Sequence, residues 1–232
     1  MKKTAIITGA GGNLGQASVK QFIKAGYRVI ATVSPGKSLG YDVEGEIIVK
    51  ELDLSDDTSV LNFVNELSKE NYTIDAALLL VGGFAPGNIA KTDSEQIKKM
   101  MTLNFYTTFT LAKQLFLKMN GQEQPGRILL VGSRPAIIPK EGKNAVAYAL
   151  SKSLMFTLAD LLNAESNSKK VVTNVIVPGT IDTEANRKAM PNADFDDWVT
   201  PEEIADNMLW LCSDRAVSLR NTTLKIYGDL KN

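Results

Sequence analysis

The sequence predicts an α/β fold in which helices cover both faces of a doubly wound parallel sheet of about seven strands. Short apolar runs without polar alternation recur along the chain, as expected for strands that are buried on both faces. Segments with helical periodicity separate these runs, and strand–helix–strand repetition favours right-handed crossovers within one sheet. The 232 residues suit one domain, residues 1–232, with a single large core.

The apolar and periodic segments give the position of each element. Strands are predicted at residues 4–8, 28–32, 46–52, 76–81, 127–131, 171–177 and 223–227. Helices are predicted near residues 14–24, 57–69, 94–119, 145–163 and 201–212. Residues 179–199 form one long irregular stretch, and connections of that length are usually functional or disordered. We interpret this stretch as a substrate lid, and the alternative is a surface excursion.

Composition narrows the chemistry that the chain can perform. Lys plus Arg equals Asp plus Glu at 26 each, so no net field favours nucleic acid or an anionic membrane surface as a partner. The single cysteine, Cys212, excludes an internal disulfide and suits a reducing, cytoplasmic compartment. Without histidine, a zinc site and any Ser-His or Cys-His hydrolase are not expected. Acid–base chemistry must therefore use Tyr, Lys, Asp or Glu.

The apolar runs are all short. The first one, at residues 4–8, ends in a glycine-rich turn and is too short for the apolar region of a signal peptide. No stretch approaches the roughly 20 apolar residues that span a membrane. We therefore expect a soluble, cytoplasmic protein without a membrane partner.

A glycine-rich loop, Thr8-Gly9-Ala10-Gly11-Gly12-Asn13-Leu14-Gly15, joins the first predicted strand to the first predicted helix. Gly9 permits a tight turn, Gly12 lets a pyrophosphate approach the backbone, and Gly15 lets the helix pack closely on the strand. The helix that starts near Asn13 and Leu14 presents free N–H groups and the positive end of its dipole to phosphates. The loop predicts dinucleotide binding in a Rossmann-type fold; the alternative is an ordinary glycine-rich turn.

The end of the second strand bears on which dinucleotide binds. An acid there binds the ribose 2′-hydroxyl of NAD, whereas a basic residue accommodates the 2′-phosphate of NADP. Here Val33 is followed by Ser34 and, three residues later, by Lys37, and no acid is present in this stretch. We predict a preference for NADP, with NAD as the alternative, because Lys37 is equally compatible with a solvated loop.

Two further strand ends carry candidate cofactor contacts. Asp53 and Leu54 follow the third strand and would lie beside the adenine, although Asp53 would serve equally well as a helix cap. Gly82 and Gly83 follow the fourth strand, where the absence of side chains would let a cofactor approach the backbone. A plain turn would have the same sequence.

The strongest chemical signal is the pair Tyr148 and Lys152. Residues four apart on a helix lie on the same face. A free phenol has a pKa of about 10, and a nearby ammonium favours the phenolate, so the pair predicts proton transfer near neutral pH. A Tyr-x-x-x-Lys spacing also arises by chance, so its value depends on its place after a glycine loop in an α/β pattern.

These motifs resemble the short-chain dehydrogenases/reductases over essentially the whole chain, in the order in which that family has them. The resemblance implies that Tyr148 is the proton donor or acceptor and that Lys152 lowers its pKa and holds the nicotinamide ribose. It further implies that Ser133 polarises a substrate carbonyl and that Asn104, in the helix near residues 94–119, holds a water of a proton relay. Singly, each of these residues also has an ordinary structural explanation.

The resemblance extends to the segment after the sixth strand. It implies that Pro178, Gly179, Thr180, Ile181, Asp182 and Thr183 lie at the nicotinamide end of the cofactor, with Thr180 to Thr183 in contact. Two motifs depart from the commonest family pattern: Asn13 stands in place of the middle glycine of the loop, and Val81-Gly82-Gly83 replaces Asn-Ala-Gly.

A local resemblance to the dihydropteridine reductases is visible within the family. It rests on residues 82–88 and on residues 182–198, which fall in the predicted lid. Those enzymes have an acid where this chain has Val33, and they lack the serine that this chain has at Ser133. A quinonoid dihydropterin accepts a hydride without a polarised ketone, whereas a retained serine favours a carbonyl substrate.

We therefore predict an NAD(P)-dependent oxidoreductase that transfers hydride from nicotinamide to a small carbonyl substrate through a Ser-Tyr-Lys site. One alternative is a reductase of a pterin-like substrate, and an alternative of another class is a regulator that binds NADP without catalysis. The family's usual assembly implies a homodimer or homotetramer that pairs through the helices near residues 94–119 and 145–163.

Overall fold

A seven-stranded sheet, parallel throughout, forms the centre of the computed structural model, which describes residues 2–166 and 170–228. Its strands are β1 Thr4–Ile7, β2 Arg28–Val33, β3 Ile47–Glu51, β4 Ala76–Leu79, β5 Gly126–Val131, β6 Val171–Pro178 and β7 Thr223–Ile226. The spatial order β3-β2-β1-β4-β5-β6-β7 places β1 beside β4, and from there the two halves wind outward in opposite directions. The predicted doubly wound, Rossmann-type sheet is confirmed.

Helices cover both faces of this sheet. They are α1 Asn13–Lys24, α2 Asp57–Lys69, α3 Ser94–Met100, α4 Thr107–Gly121, α5 Pro139–Gly142, α6 Val146–Glu165, α7 Glu184–Ala189 and α8 Pro201–Leu211. One apolar layer joins α2, α4 and α6 to the sheet through residues such as Phe63, Leu115 and Met155. The other layer joins α1 and α8 through residues such as Phe22 and Met208. Within the described ranges, no helix has the length and apolar character needed to cross a membrane.

The helix predicted near residues 94–119 is divided in the structure. A π-helical turn, Met101–Tyr106, joins α3 to α4. Two threonine hydroxyls donate to carbonyls one turn earlier, from Thr107 to Leu103 and from Thr108 to Asn104. Such bonds to the backbone bend helices, and π turns are frequent at functional sites. Here the π turn contains Asn104.

The stretch at residues 179–199 is more ordered than the prediction of an irregular segment. It contains α7, whose first turn is capped by the Thr183 hydroxyl, and a 3₁₀ turn at Phe195–Asp197. The Arg187 guanidinium binds Asp182 through two hydrogen bonds and lies over the Phe195 ring at 4.7 Å. The irregular description was wrong because helical periodicity cannot be recognised over six residues. The role as a lid stays a prediction.

Candidate active site

A cavity of about 430 Å³ lies at the carboxyl ends of β1, β2 and β3. Four residues that the sequence assigns to a cofactor, Gly9, Ser34, Asp53 and Leu54, line this cavity. Val81, which follows β4, lines it as well. Ligands of doubly wound sheets bind outside the carboxyl ends of the strands where the strand order reverses, here between β1 and β4. The cavity therefore lies where a dinucleotide is expected.

The glycine loop has the geometry that close backbone packing requires. Gly9 has a φ of +62°, a left-handed conformation that favours glycine, and its carbonyl accepts a hydrogen bond from the Gly12 N–H at 3.0 Å. A Cβ at Gly15 would collide with the Gly9 carbonyl oxygen. Asn13 and Leu14 begin α1, whose first turn has neither a side-chain cap nor an acidic residue. Such a helix end suits an anion.

Tyr41, which was not predicted as a site residue, supports the glycine loop. Its hydroxyl donates a hydrogen bond to the Ala10 carbonyl at 3.0 Å, and burial raises the pKa of this phenol to about 12. The carbonyls of Ser38 and Leu39 lie 3.2 and 3.6 Å from the position of a Cβ on Gly11. The connection between β2 and β3 therefore packs on the phosphate-binding loop, and no local pattern in the sequence indicates this contact.

The turn after β2 is held by an acid from the neighbouring strand. The Lys37 N–H donates to the Ser34 carbonyl at 3.0 Å, and the Gly36 N–H donates to the Glu51 carboxylate at 2.9 Å. Glu51 lies opposite Val33 in the register of β2 and β3. The prediction considered only the end of the second strand and the turn after it, so this acid on β3 was missed. Lys37 is exposed and, in the part of the chain described, has no ion-pair partner within 4 Å.

Asp53 is not the cap of α2. Asp56 caps that helix by accepting a hydrogen bond from the Thr58 N–H. The exposed Asp53 carboxylate instead accepts from the Ser55 hydroxyl and the Ser55 N–H, and these bonds lower its pKa. The helix-cap interpretation of Asp53 was wrong, and its position in the wall of the cavity agrees with the cofactor interpretation.

Ser133 and Tyr148 come together beyond the end of β5. Ser133 is 4% exposed. Among the described residues, no partner of its Oγ has the distance and angle of a well-formed hydrogen bond. Burial raises the pKa of the Tyr148 phenol, and the nearby Ser133 hydroxyl partly opposes that shift. The Tyr148 ring makes an edge-to-face contact with Phe84, with 5.1 Å between the ring centroids. Phe84 itself is 63% exposed, so it presents an apolar surface beside the phenol.

Lys152 is buried one helical turn after Tyr148. Its Nζ donates a hydrogen bond to the Val131 carbonyl at 2.8 Å, and burial lowers its pKa to about 8. Burial dominates the shift of the Tyr148 pKa, and Lys152 is not among its causes. The lowering of the Tyr148 pKa by Lys152 therefore stays a prediction from the resemblance.

Replacing Lys152 by Met is expected to change how stability depends on pH. The Lys152 pKa is about 8 in the folded chain against an ordinary 10.5, so the unfolded chain binds more protons between these values. The free energy of unfolding of the wild type should rise by about 2 kcal/mol relative to Lys152→Met between pH 7 and pH 9.5. Chemical denaturation at both pH values measures this, with the exposed Lys99→Met as control. An equal difference at both pH values would contradict the lowered pKa.

Asn104 ties the turn after β4 to the helix that carries Tyr148. Its side chain accepts from the Gly83 N–H at 2.8 Å and donates to the Gly83 carbonyl and to the Ser151 hydroxyl, both at 3.0 Å. The Ser151 hydroxyl in turn donates to the Tyr148 carbonyl at 2.8 Å. Asn104 is fully buried, and this network fixes the start of α6. The relay water that the resemblance implies stays a prediction.

The contact at Gly82 gives a physical reason for one departure from the family pattern. A Cβ at this position would lie 2.7 Å from the Asn104 Oδ1 and 3.1 Å from the Lys152 Nζ. A Cβ less than 3.0 Å from another heavy atom is too close, so an alanine here would require the Asn104 side chain to move. Glycine at position 82 therefore allows the amide and the amine to approach the same stretch of backbone.

The segment after β6 is placed by backbone contacts with β7 and with residue 199. The Gly179 N–H donates to the Ile226 carbonyl at 2.7 Å, and the Val199 N–H donates to the Thr180 carbonyl at 3.0 Å. Together these contacts hold Pro178, Gly179, Thr180, Ile181, Asp182 and Thr183 at the same sheet edge as Ser133. Within the described ranges, no hydrogen bond joins this segment to Ser133, Tyr148 or Lys152. Its contact with nicotinamide stays a prediction.

Comparison with known proteins identifies the family. Residues 3–194 match the family model described as short chain dehydrogenase. The chain belongs to the short-chain dehydrogenase family. The matched range contains the glycine loop and Asn104, Ser133, Tyr148 and Lys152. This family membership makes the protein an NAD(P)-dependent oxidoreductase and disfavours the non-catalytic regulator.

Individual relatives of this short-chain dehydrogenase match it along most of its length. The 3-oxoacyl-acyl-carrier-protein reductase of Buchnera aphidicola is 28% identical over 240 residues, covering 99% of this chain and 97% of the relative. The dihydropteridine reductase of Dictyostelium discoideum is 25% identical over 211 residues, covering 90% of this chain and 87% of the relative. A crystal structure of a family oxidoreductase from Burkholderia thailandensis aligns with a TM-score of 0.83 and 26% identity, covering 97% and 91%. The predicted family and its local resemblance to dihydropteridine reductase are confirmed.

Proposed function

We propose that this short-chain dehydrogenase is an NADP-preferring reductase of small carbonyl compounds. The observation that carries the proposal is the state of the Ser133 hydroxyl. It is buried beside the Tyr148 phenol and makes no well-formed hydrogen bond among the described residues. An unsatisfied buried hydroxyl costs about 1–3 kcal/mol. A substrate oxygen placed between Ser133 and Tyr148 would accept from both hydroxyls and remove that cost.

The protonation states of the site support reduction. Burial raises the pKa of Tyr148, so the phenol carries its proton at neutral pH and can give it to the oxygen of a carbonyl that is being reduced. Lys152, with a pKa of about 8, is still largely a cation at neutral pH. One of its three protons is used by the Val131 carbonyl, which leaves two for ribose hydroxyls.

The residues present fit a nicotinamide dinucleotide. The uncapped first turn of α1 suits the pyrophosphate, and the cavity lined by Asp53 and Leu54 suits the adenine end. When bound, the nicotinamide supplies the hydride, and the chain supplies orientation and electrostatics. Pro178, Gly179, Thr180, Ile181 and Thr183 would hold its nicotinamide end.

The preference for NADP rests on charge at the end of β2. Lys37 is exposed and lies one hydrogen-bonded turn from Ser34, so both can reach a 2′-phosphate. Glu51 is the nearby acid that favours NAD as the alternative. Its carboxylate accepts from the Gly36 N–H, and this engagement supports a structural role for Glu51 in the turn.

A second candidate function is reduction of a quinonoid dihydropterin. It is favoured by the match to the dihydropteridine reductase of Dictyostelium discoideum, which covers 90% of this chain. Ser133 argues against it, since hydride transfer to a quinonoid ring needs no polarised ketone.

Oxidation of NADPH and of NADH in the presence of defined substrates tests the proposed function. The panel contains ketones, diketones, acyl thioesters and quinonoid dihydropterin, each at several coenzyme concentrations. We expect turnover of a carbonyl compound, with a lower KM for NADPH than for NADH. Turnover of the dihydropterin alone would support the second candidate, and a lower KM for NADH would contradict the coenzyme preference.

The assembly and location of the enzyme are proposed on separate grounds. Apolar side chains are exposed on the π turn, α4 and α6: Tyr106, Phe109, Leu117, Leu150 and Leu161. Exposed apolar groups of this kind favour self-association, so we propose a homodimer or homotetramer.

The single cysteine, Cys212, is buried and unpaired, which suits a reducing cytoplasmic location.

A further inference from the structure

We propose that Arg134 is a positioning residue that fixes the Ser133 hydroxyl for reaction. This inference rests on the proposed function, because it assumes that Ser133 polarises the substrate. The Ser133 side chain is only weakly held, since its Oγ interacts with the Tyr148 phenol but makes no well-formed hydrogen bond among the described residues. Its position must therefore come from the backbone on either side of it.

The Arg134 side chain anchors that backbone in two directions. The guanidinium forms an ion pair with Glu141 of α5, and it lies over the Tyr227 ring at 4.8 Å. Tyr227 follows β7, whereas Glu141 lies on the connection to α6, so one side chain joins two separate parts of the fold. The ion pair is only partly exposed, with 22% of the Arg134 side chain and 34% of the Glu141 side chain accessible.

The Arg134 backbone closes the same unit. Its carbonyl accepts hydrogen bonds from the N–H groups of Ile137 and Ile138, at 2.9 and 2.8 Å. A Cβ at Gly142 would lie 2.5 Å from the Pro135 carbonyl oxygen, so the turn after Ser133 and the end of α5 are in direct backbone contact. Residues 134–142 thus form one folded block directly after Ser133.

The block also leads into the helix that carries Tyr148. Residues 144 and 146 exchange backbone hydrogen bonds with Gly87, each at 2.8 Å, in the loop that also carries Phe84. Ser133 immediately precedes residues 134–142, and Tyr148 follows them by six residues. Loss of the Arg134 contacts would let Ser133 move relative to Tyr148, and small misplacements of a positioned group lower turnover strongly.

A double-mutant cycle between Arg134 and Ser133 separates positioning from general stabilisation. Arg134→Met should lower kcat for the best carbonyl substrate by about 10-fold, with coenzyme KM unchanged. In the Ser133→Ala background the same change should cost less than about twofold, because there is no hydroxyl left to position. Glu141→Gln should give a smaller loss with the same dependence on Ser133. The exposed Arg215→Met is the matched control and should change nothing.

Each outcome of the cycle has a defined meaning. Equal losses from Arg134→Met in both backgrounds, or no loss in either, would overturn the positioning role while leaving the proposed function intact. Full activity in Ser133→Ala would overturn the proposed function and the positioning role with it. Should Arg134→Met fail to fold, the comparison with Ser133→Ala is made with Glu141→Gln, which keeps the shape of the side chain and removes its charge.

Discussion

Replacing Tyr148 by Phe is expected to lower turnover of a carbonyl substrate by about 100- to 10,000-fold, the usual contribution of a positioned proton donor. The change removes only the hydroxyl, so the ring can keep its edge-to-face contact with Phe84. Burial keeps the phenol protonated at neutral pH, and the substitution removes that proton from its place beside Ser133. Steady-state kinetics with NADPH and the best substrate of the panel give kcat and KM.

Coenzyme binding should survive this substitution. Lys152, which the proposal assigns to the ribose, keeps its hydrogen bond to the Val131 carbonyl and its buried position. Tyr72→Phe is the matched control, since Tyr72 is a half-buried tyrosine between α2 and β4, at the opposite edge of the sheet from Tyr148. A near-normal kcat in Tyr148→Phe would show that the phenol is not the proton donor.

Replacing Gly15 by Ala is expected to weaken coenzyme binding strongly. A Cβ at this position collides with the Gly9 carbonyl oxygen and would lie 2.8 Å from the Ala10 Cα, so backbone rather than a flexible side chain must move. Overpacking of this kind costs about 1–3 kcal/mol, and the movement opens the loop that faces the pyrophosphate. Quenching of protein fluorescence by NADPH measures the dissociation constant, which should rise by about 5- to 150-fold, the equivalent of that cost.

Gly121→Ala provides the control for this substitution. Beyond its own stretch of helix at the end of α4, none of the described residues has an atom within 4 Å of a Cβ built at Gly121, so the same chemical change meets no obstacle there. Coenzyme affinity should then equal that of the wild type. Binding of NADPH by Gly15→Ala with wild-type affinity would contradict the role assigned to the glycine loop.

The strands and their parallel, doubly wound arrangement follow from the sequence for a simple physical reason. A strand buried on both faces is mostly apolar, and β1, β2 and β6 are short runs in which all but one or two residues are apolar. The predicted ends differ from the observed ones by at most two residues. Parallel pairing and right-handed crossovers then place all the loops after the strands on one edge, where the cavity is found.

Several of the features that were missed depend on contacts between distant segments. The hydrogen bond from Tyr41 to the glycine loop, the Glu51 bond to the turn after β2 and the Arg134 stack on Tyr227 join residues that no local pattern relates. The π turn around Asn104 likewise reflects its bonds to Gly83, which only the folded chain brings near.

The candidate site was only partly accessible from the sequence. Residue types and their order identified Ser133, Tyr148 and Lys152, but the effect of burial on their protonation required the structure. Burial shifts the pKa of Tyr148 upward and that of Lys152 downward, so each moves toward its neutral form. The Tyr-x-x-x-Lys spacing considers only Tyr148 and Lys152, and it therefore predicts a lowered pKa for the phenol.

The most direct test of the account is the rate of carbonyl reduction by Ser133→Ala. The account predicts a fall in kcat of about 100-fold or more, as for removal of one donor from an oxyanion site, with the dissociation constant for NADPH unchanged. The substitution removes one buried hydroxyl that makes no well-formed hydrogen bond among the described residues, so the free energy of unfolding should change little. Wild-type turnover in Ser133→Ala would contradict the account, because the reaction would then need no polarised carbonyl.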